Sequence, residues 1–499
     1  MEFFQHLELG LSVAMTLQNL LYCFIGVLLG TLIGVLPGIG PVATIALLLP
    51  ITFGVPPVAA MTMLAGIYYG AQYGGSTTAI LLSLPGESSA AVTVLDGYQM
   101  AQQGRAGKAL ATAAIGSFVA GTIATLVIAV ASPPLTRLAM SFGSAEYFSL
   151  MVLGLVGSVA LASGSVLKAV AMIVLGILLG LIGQDGYTGT SRMTMGFPQL
   201  ADGIAFSAMA MGIFGLGEVV RNLRNPEDRT VTRQTIGRLM LSWQEIKQIT
   251  LPVLRGTGIG TVLGVLPGGG ALLSSFVAYT AEKKLAKDPS RFGRGAIEGV
   301  AGPESANNAG AQTSFIPMLT LGIPSNPVMA MMIGALIIQG ITPGPNVVTE
   351  RPELFWGLIA SMWIGNLMLV VLNLPMVGIW VRLLTVPYRI LFPAIVGFCC
   401  IGVFSIANSP FDLFVLVVSC LAGFILWELD CEPAPLLLGF LLGPMLEDHF
   451  RRAMLMSHGD LGTFVERPIS AGILLVAALL LVVIVMPSIR KSRDEVFID

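Results

Sequence analysis

Charge is what this 499-residue sequence has least of. Lys, Arg, Asp and Glu together make up 11% of it, against about a quarter in an ordinary soluble protein. The first 104 residues contain no Lys or Arg at all, and the net charge is −2, which leaves no basic surface for nucleic acid. Three histidines (His6, His449, His458) are too scattered for a metal cluster. Five cysteines (Cys23, Cys399, Cys400, Cys420, Cys431) lie mostly in apolar runs, without the spacing of a zinc site or a disulfide framework. They read as small hydrophobes, and no metal or organic cofactor is expected. The start, MEFFQHLELG, lacks the basic region of a cleaved leader, so the first apolar segment is expected to be retained.

Enzyme signatures are missing too. Gly256-x-Gly258-x-Gly260 has no strand–helix unit around it and is not a dinucleotide fingerprint. No P-loop is present. His458-Gly459-Asp460 lacks the second, tyrosine-flanked aspartate of an intramembrane protease, and there is no GxSxG.

What is present is hydrophobic sequence, 55% of the chain, in long runs from end to end. A spanning helix needs about 20 mostly apolar residues. The expected fold is therefore all-α: a polytopic membrane protein of about twelve spanning or re-entrant segments. One stretch occurs twice. GVLLGTLIGVLPGIG (26–40) and GTGIGTVLGVLPGGG (256–270) agree at nine of fifteen positions with an offset of 230. GAQ at 70–72 recurs at 310–312. Self-similarity of this kind indicates two copies of one plan. The expected division is a first membrane repeat at 1–220, a basic cytoplasmic linker at 221–250, a second repeat at 251–450, and a loop, final transmembrane helix and cytoplasmic tail at 451–499.

Cytoplasmic loops are enriched in Lys and Arg. The linker and the tail are the most basic segments, which places both inside and the N-terminus outside, in the periplasm. The turn at 51–57 is uncharged, whereas its counterpart at 281–294 carries five cations; for 96–108 and 341–353 the bias reverses. Inverted repeats produce such a flip. Arg451, Arg452 and Arg467 disagree, falling in a loop expected outside.

Proline and glycine interrupt both copies at Pro37, Gly38, Gly40 and at Pro267, Gly268, Gly269. Irregular backbone at membrane depth is tolerated where it is buried or lines a cavity, and paired interruptions point to a transporter's binding site; a surface loop is the alternative. More polar breaks are expected at 70–78, at Pro85, Gly86, Glu87, Ser88 and Ser89, at 303–308, and around Pro324, Ser325 and Asn326. Ser, Thr and Asn at helix starts, with free N–H groups, suit a carboxylate, although capping alone explains any single one. The expected substrate residues are Ser76, Thr77, Thr78, Ser88, Ser89, Asn307, Asn308, Thr313, Ser314, Ser325 and Asn326. Glu87 and Glu304 are expected to serve ion coupling, because ionisable groups at membrane depth are functional suspects. Na⁺ near Gly75, Ser76 and Asn307, or a proton, would be the coupling ion.

The segments GVLPGIGP, YYGAQYGGSTTAILLSLPGESS, GRGAIEGVAGPESANNAGAQTSFIPMLTLGIPSNPVMA and QGITPGP resemble the large membrane subunit of the tripartite tricarboxylate transporters, the TctA type. That resemblance covers nearly the whole chain. It implies secondary active uptake of an organic acid across the bacterial inner membrane, driven by an ion gradient. It also implies two partners: a periplasmic solute-binding protein and a small membrane subunit. A channel or membrane scaffold that accumulates nothing is the alternative.

Overall fold

The structure, a computed structural model, describes residues 2–36, 40–83, 86–161, 165–217, 220, 239–266, 270–383, 393, 396–397, 399–401, 403–404 and 408–485. The first half comprises α1 (Glu2–Ala14), α2 (Leu17–Val35), α3 (Pro41–Thr52), α4 (Pro57–Leu82), α5 (Ala91–Met100), α6 (Ala106–Ala139), α7 (Ser144–Leu161), α8 (Val166–Gly180) and α9 (Phe206–Ala210). A two-residue hairpin, β1 (Gly183–Gln184) with β2 (Ser191–Arg192), lies between α8 and α9. The second half comprises α10 (Trp243–Val265), α11 (Gly270–Leu285), α12 (Glu298–Thr313), α13 (Phe315–Leu321), α14 (Pro327–Ile338), α15 (Pro345–Glu350), α16 (Pro352–Asn373), α17 (Val377–Leu383), α18 (Pro410–Glu428), α19 (Pro433–Met456), α20 (Thr463–Glu466) and α21 (Pro468–Val485). Among the described residues, four segments, Leu17–Val35, Ser88–Ala139, Pro352–Asn373 and Pro410–Glu428, are long and apolar enough to cross a membrane.

Glycine sets the two principal helix pairs. In lipid, helices associate through close packing, and small residues let backbones touch. A Cβ on Gly26, Gly30 or Gly34 of α2 would fall 2.2–2.4 Å from the carbonyl oxygens of Met63, Ile67 and Ala71 on α4. On α10, Gly256, Gly260 and Gly264 meet the carbonyls of Gly302, Ala306 and Gly310 on α12 at the same 2.2–2.4 Å. The α2 glycines correspond to those of α10 at offset 230, and their partners correspond at 239. The 239 offset continues past the helix ends. Ser83 closes α4 with φ 62° and Gly322 closes α13 with φ 72°, both left-handed. Glu87 and Asn326 then stand in extended backbone before the next helix.

Further along, the halves exchange partners. Gly176 of α8 lies against the Leu436 carbonyl of α19, and Gly439 against that of Ile173. Gly212, in the π-helical turn that continues α9, lies against the Leu416 carbonyl of α18, and Gly423 against that of Ile213.

Several expected boundaries move. The stretch 70–78 is no break: α4 runs through it, with Ser76, Thr77 and Thr78 bonding back to the carbonyls of Gln72, Tyr73 and Gly74. Residues 303–308 likewise lie inside α12, Pro303 included. Their N–H groups are spent within these helices, so of the polar breaks those that remain are the one following Ser83 and the one at 322–326. The end of the expected linker is already helix, because Ser242 and Glu245 form a capping box that starts α10. Residues 221–238 and the basic tail lie outside the described residues. Arg451 and Arg452 sit on the last turns of α19 rather than in a loop.

Charged groups gather at the two ends of α6. At the end bearing the start of α10, Lys108 pairs with Glu245 and Arg291 with Glu298. There too, buried Asp96 accepts from the N–H groups of Gly295 and Ala296, each at 2.8 Å, and from Tyr279 at 3.0 Å. At the other end Arg467 pairs with Glu146, Arg192 with Glu447, and Arg451 with Asp185 and Glu447. Asp185 anchors the hairpin. The N–H groups of Tyr187 and Thr188, and then Arg451, hold its carboxyl down at about 2.

Two outcomes follow. Gly260→Leu forces α10 off α12 and is expected to cost about 1–3 kcal/mol, read as a lower melting temperature in detergent. Gly258→Leu, with nothing within 4 Å of its Cβ position, should leave the melting temperature unchanged; equal losses would remove close approach as the cause. For Asp185, an unfolded-state value of about 3.9 above the native one means its stabilisation is complete above about pH 4. That stabilisation fades as pH falls toward 2. Hydrogen exchange at Tyr187–Thr190 should accelerate over that window, and Asp185→Asn should abolish the pH response.

Candidate functional site

At the centre of the contact between the two halves is a buried carboxyl group. Glu304, on α12, is fully buried. Ser76 of α4 donates to its Oε2 at 2.5 Å, and Thr93 of α5 donates to Oε1. Both oxygens of a second-half side chain are thus held by first-half hydroxyls. Glu87, the extended residue before the turn Ser88–Ala90, lies within electrostatic reach of Glu304 and Gln72. Ser89 donates to Gln72 Oε1 at 2.9 Å, and its carbonyl accepts from Ser275 of α11 at 2.9 Å.

Asn307 stands one turn beyond Glu304, on the side of α12 that i and i+3 share. It is fully buried, and neither its Oδ1 nor its Nδ2 has a hydrogen-bond partner. Leaving such groups unsatisfied costs roughly 1–3 kcal/mol, and native proteins retain them where there is a reason to. Asn308 is different: its Nδ2 donates to Ser117 of α6 at 2.7 Å and to the Glu304 carbonyl at 3.1 Å. Beyond it, Gln312 accepts from Thr125. Tyr73 donates to Asn366 of α16 at 2.7 Å, and Asn366 donates to the Phe118 carbonyl at 2.9 Å.

The second interruption packs farther along α4, at Tyr68. Asn326 caps α14, its side chain accepting from Met329 N–H at 3.0 Å and donating to Tyr68 at 3.4 Å. Ser325 donates to the Ser314 carbonyl at 3.5 Å. Ser314 itself bonds back to Ala311, and Pro324 lies between α13 and α14. In the first half the equivalent contact is made by Gly86, whose N–H reaches the Gly75 carbonyl at 3.4 Å. A Cβ on Gly86 would strike the Gly34 carbonyl, and one on Gly75 would press on Glu87.

Two of the expected substrate residues make contacts between helices. Thr78 donates to the Gly34 carbonyl at 3.2 Å, and Thr313 to the carbonyls of Ala309 and Gly260. Thr77 borders a small cleft described below, and Ser88 is exposed. Gly40 precedes α3 as its cap. Pro37, Gly38, Pro85, Pro267, Gly268 and Gly269 lie outside the described residues. Sequence reasoning passed over Tyr68, Gln72, Tyr73, Thr93, Ser117 and Asn366. Asn366, alone within FWGLIASMWIGNLML, was detectable as a polar group that an apolar helix would keep only against a partner.

Chemically the cluster offers oxygen donors: the Glu304 carboxylate, the hydroxyls of Ser76 and Thr93, and the Asn307 carbonyl. Such a set suits a hard cation. Carboxyl groups in an apolar helical bundle, together with four helices of spanning length, describe a membrane protein built around an internal polar site. The chain belongs to the tripartite tricarboxylate transporter TctA family, whose model matches residues 20–438. It is thus a component of a tripartite transporter, a family of transport proteins rather than enzymes, as the resemblance in its motifs implied. It is 60% identical over 499 residues, all of this chain and 99% of the other, to an uncharacterized 52.8 kDa protein in the TAR-I ttuC' 3'region of Agrobacterium vitis. A protein in the TAR-II ttuC' 3'region of the same organism is 62% identical over 240 residues, 48% of this chain and 99% of the other. No solved structure matches.

The two adjacent asparagines separate function from stability. Asn307→Leu removes a buried amide without partners and is expected to leave the melting temperature equal or higher. Asn308→Leu strands Ser117 and is expected to cost about 1–3 kcal/mol. A thermal melt that lowers both alike would show that Asn307 is held by its surroundings.

Proposed function

We propose that this chain is the large membrane subunit of a secondary active importer for a carboxylate, a tricarboxylate or related organic acid, in the bacterial inner membrane. A periplasmic solute-binding protein delivers the substrate, a small membrane subunit accompanies the chain, and a Na⁺ or proton gradient drives uptake. The N-terminus is periplasmic and the C-terminus cytoplasmic. One observation carries the reading: Glu304 and the unpartnered Asn307 are buried together where the two halves meet, within electrostatic reach of Glu87 at the first interruption.

Inverted repeats fit the helix directions. Tyr68 of α4 lies by Phe315, with ring centroids 6.4 Å apart, while Ser76 lies by Glu304. Corresponding helices of the two halves therefore run antiparallel, as an axis in the membrane plane requires. Substrate carboxylates would approach the starts of α5 and α14, where Ser88, Ser89, Ser325 and Asn326 stand and the helix dipoles favour an anion. Glu87 and Glu304 supply the coupling. In a site of low dielectric, an anion beside two carboxylates is repelled until a cation or proton neutralises one of them. Substrate and ion must then load together. Movement of one bundle against the other would carry both across.

Reconstitution tests this. Labelled organic acid should accumulate in proteoliposomes only with the binding protein and an imposed Na⁺ or pH gradient. Glu304→Gln should lower gradient-driven uptake at least tenfold while the protein is still recovered folded, and Asn307→Ala should lower it as well. Equilibration without accumulation would make the chain a channel. Full uptake by Glu304→Gln would remove that residue from coupling.

A further inference from the structure

Ser76 has a second neighbourhood. Besides bonding Glu304, it lines a cleft between α4, α6 and α16, together with Tyr73, Thr77, Ala113, Ser117 and Asn373. The cleft extends along α6 as far as Leu110, near the end where Lys108 pairs with Glu245. Its volume is about 10 Å³, room for roughly one water molecule. Its polar lining residues, Tyr73, Ser76, Thr77, Ser117 and Asn373, are all uncharged oxygen-bearing side chains. The Asn373 Oδ1 has no hydrogen-bond partner although the residue is only 6% exposed. No basic side chain lines the cleft. Oxygen-lined passages of this width pass small cations and exclude bulky anions.

We propose that this cleft is the passage by which the coupling cation moves between Glu304 and the end of the bundle bearing α10, apart from the route a carboxylate takes. The inference rests on the ion-coupled reading above. Ser76 is the junction: its Oγ belongs to the Glu304 shell on one side and to the cleft wall on the other. Tyr73 is fixed by Asn366 and Ser117 by Asn308, so the far wall is rigid. A multi-carboxylate substrate cannot enter a space of one water, whereas a proton or a largely dehydrated Na⁺ can.

Ala113→Leu, which fills the cleft from α6 without touching Glu304, tests it in proteoliposomes. Two rates are compared: net uptake driven by an ion gradient, and substrate counterflow with saturating cation on both sides, where the loaded carrier need not release its ion. Net uptake is expected to fall at least tenfold while counterflow stays within twofold of the unsubstituted protein. Ala113→Cys, treated with a small cationic methanethiosulfonate, should give the same split and serves if the leucine variant folds poorly. If both rates survive, the cleft carries nothing; if both fall together, substrate and ion share one route. Either result overturns the proposal. Absence of gradient-driven uptake in the unsubstituted protein would instead refute the transport reading. Imposing the gradient as Na⁺ at uniform pH, or as pH without Na⁺, identifies the ion.

Discussion

Backbone pressed against backbone is the constraint on which the molecule depends. Inside a bilayer no hydrophobic gain separates protein from lipid, so helices must earn their association by contact and by hydrogen bonds. The glycine rows on α2 and α10 bring two helix pairs within a distance that a single methyl group would prevent. Once α2 grips one face of α4, and α10 one face of α12, their remaining faces pack on α6 and other helices and meet each other at Ser76 and Glu304. Those faces carry the polar groups. The Glu304–Ser76–Thr93 junction forms only because both pairs are held that close.

The two halves use the same backbone and different chemistry. Left-handed closures at Ser83 and Gly322, and extended residues at Glu87 and Asn326, repeat at one offset. At the last of these positions one half supplies a carboxyl and the other an amide. Asn326 spends its amide on capping α14; Glu87 makes no equivalent cap. A symmetric backbone thus carries side chains of different charge at equivalent positions.

The repeat was legible because close contact demands glycine at fixed spacing, and fixed spacing survives in sequence. The polar clusters were legible because Glu304 and Asn307 are expensive in an apolar helix. Their local structure was misread. Ser, Thr and Gly at 70–78 looked like a helix break, yet the hydroxyls bond back one turn and the glycines admit neighbouring backbone. Thr93 and Tyr73 were invisible for another reason. Their roles come from partners some 200 to 300 positions away, and no local pattern encodes such a meeting.

The partner exchange between halves bears on how the chain is made. Gly176 waits for Leu436, and Gly212 waits for Leu416, each more than 200 residues downstream. Synthesised from the N-terminus, the first half enters the membrane with glycine-lined faces that nothing yet covers, and its own helices cannot close them. Those faces are closed only by α18 and α19 of the second half. In the folded protein each half therefore covers glycine-lined faces of the other.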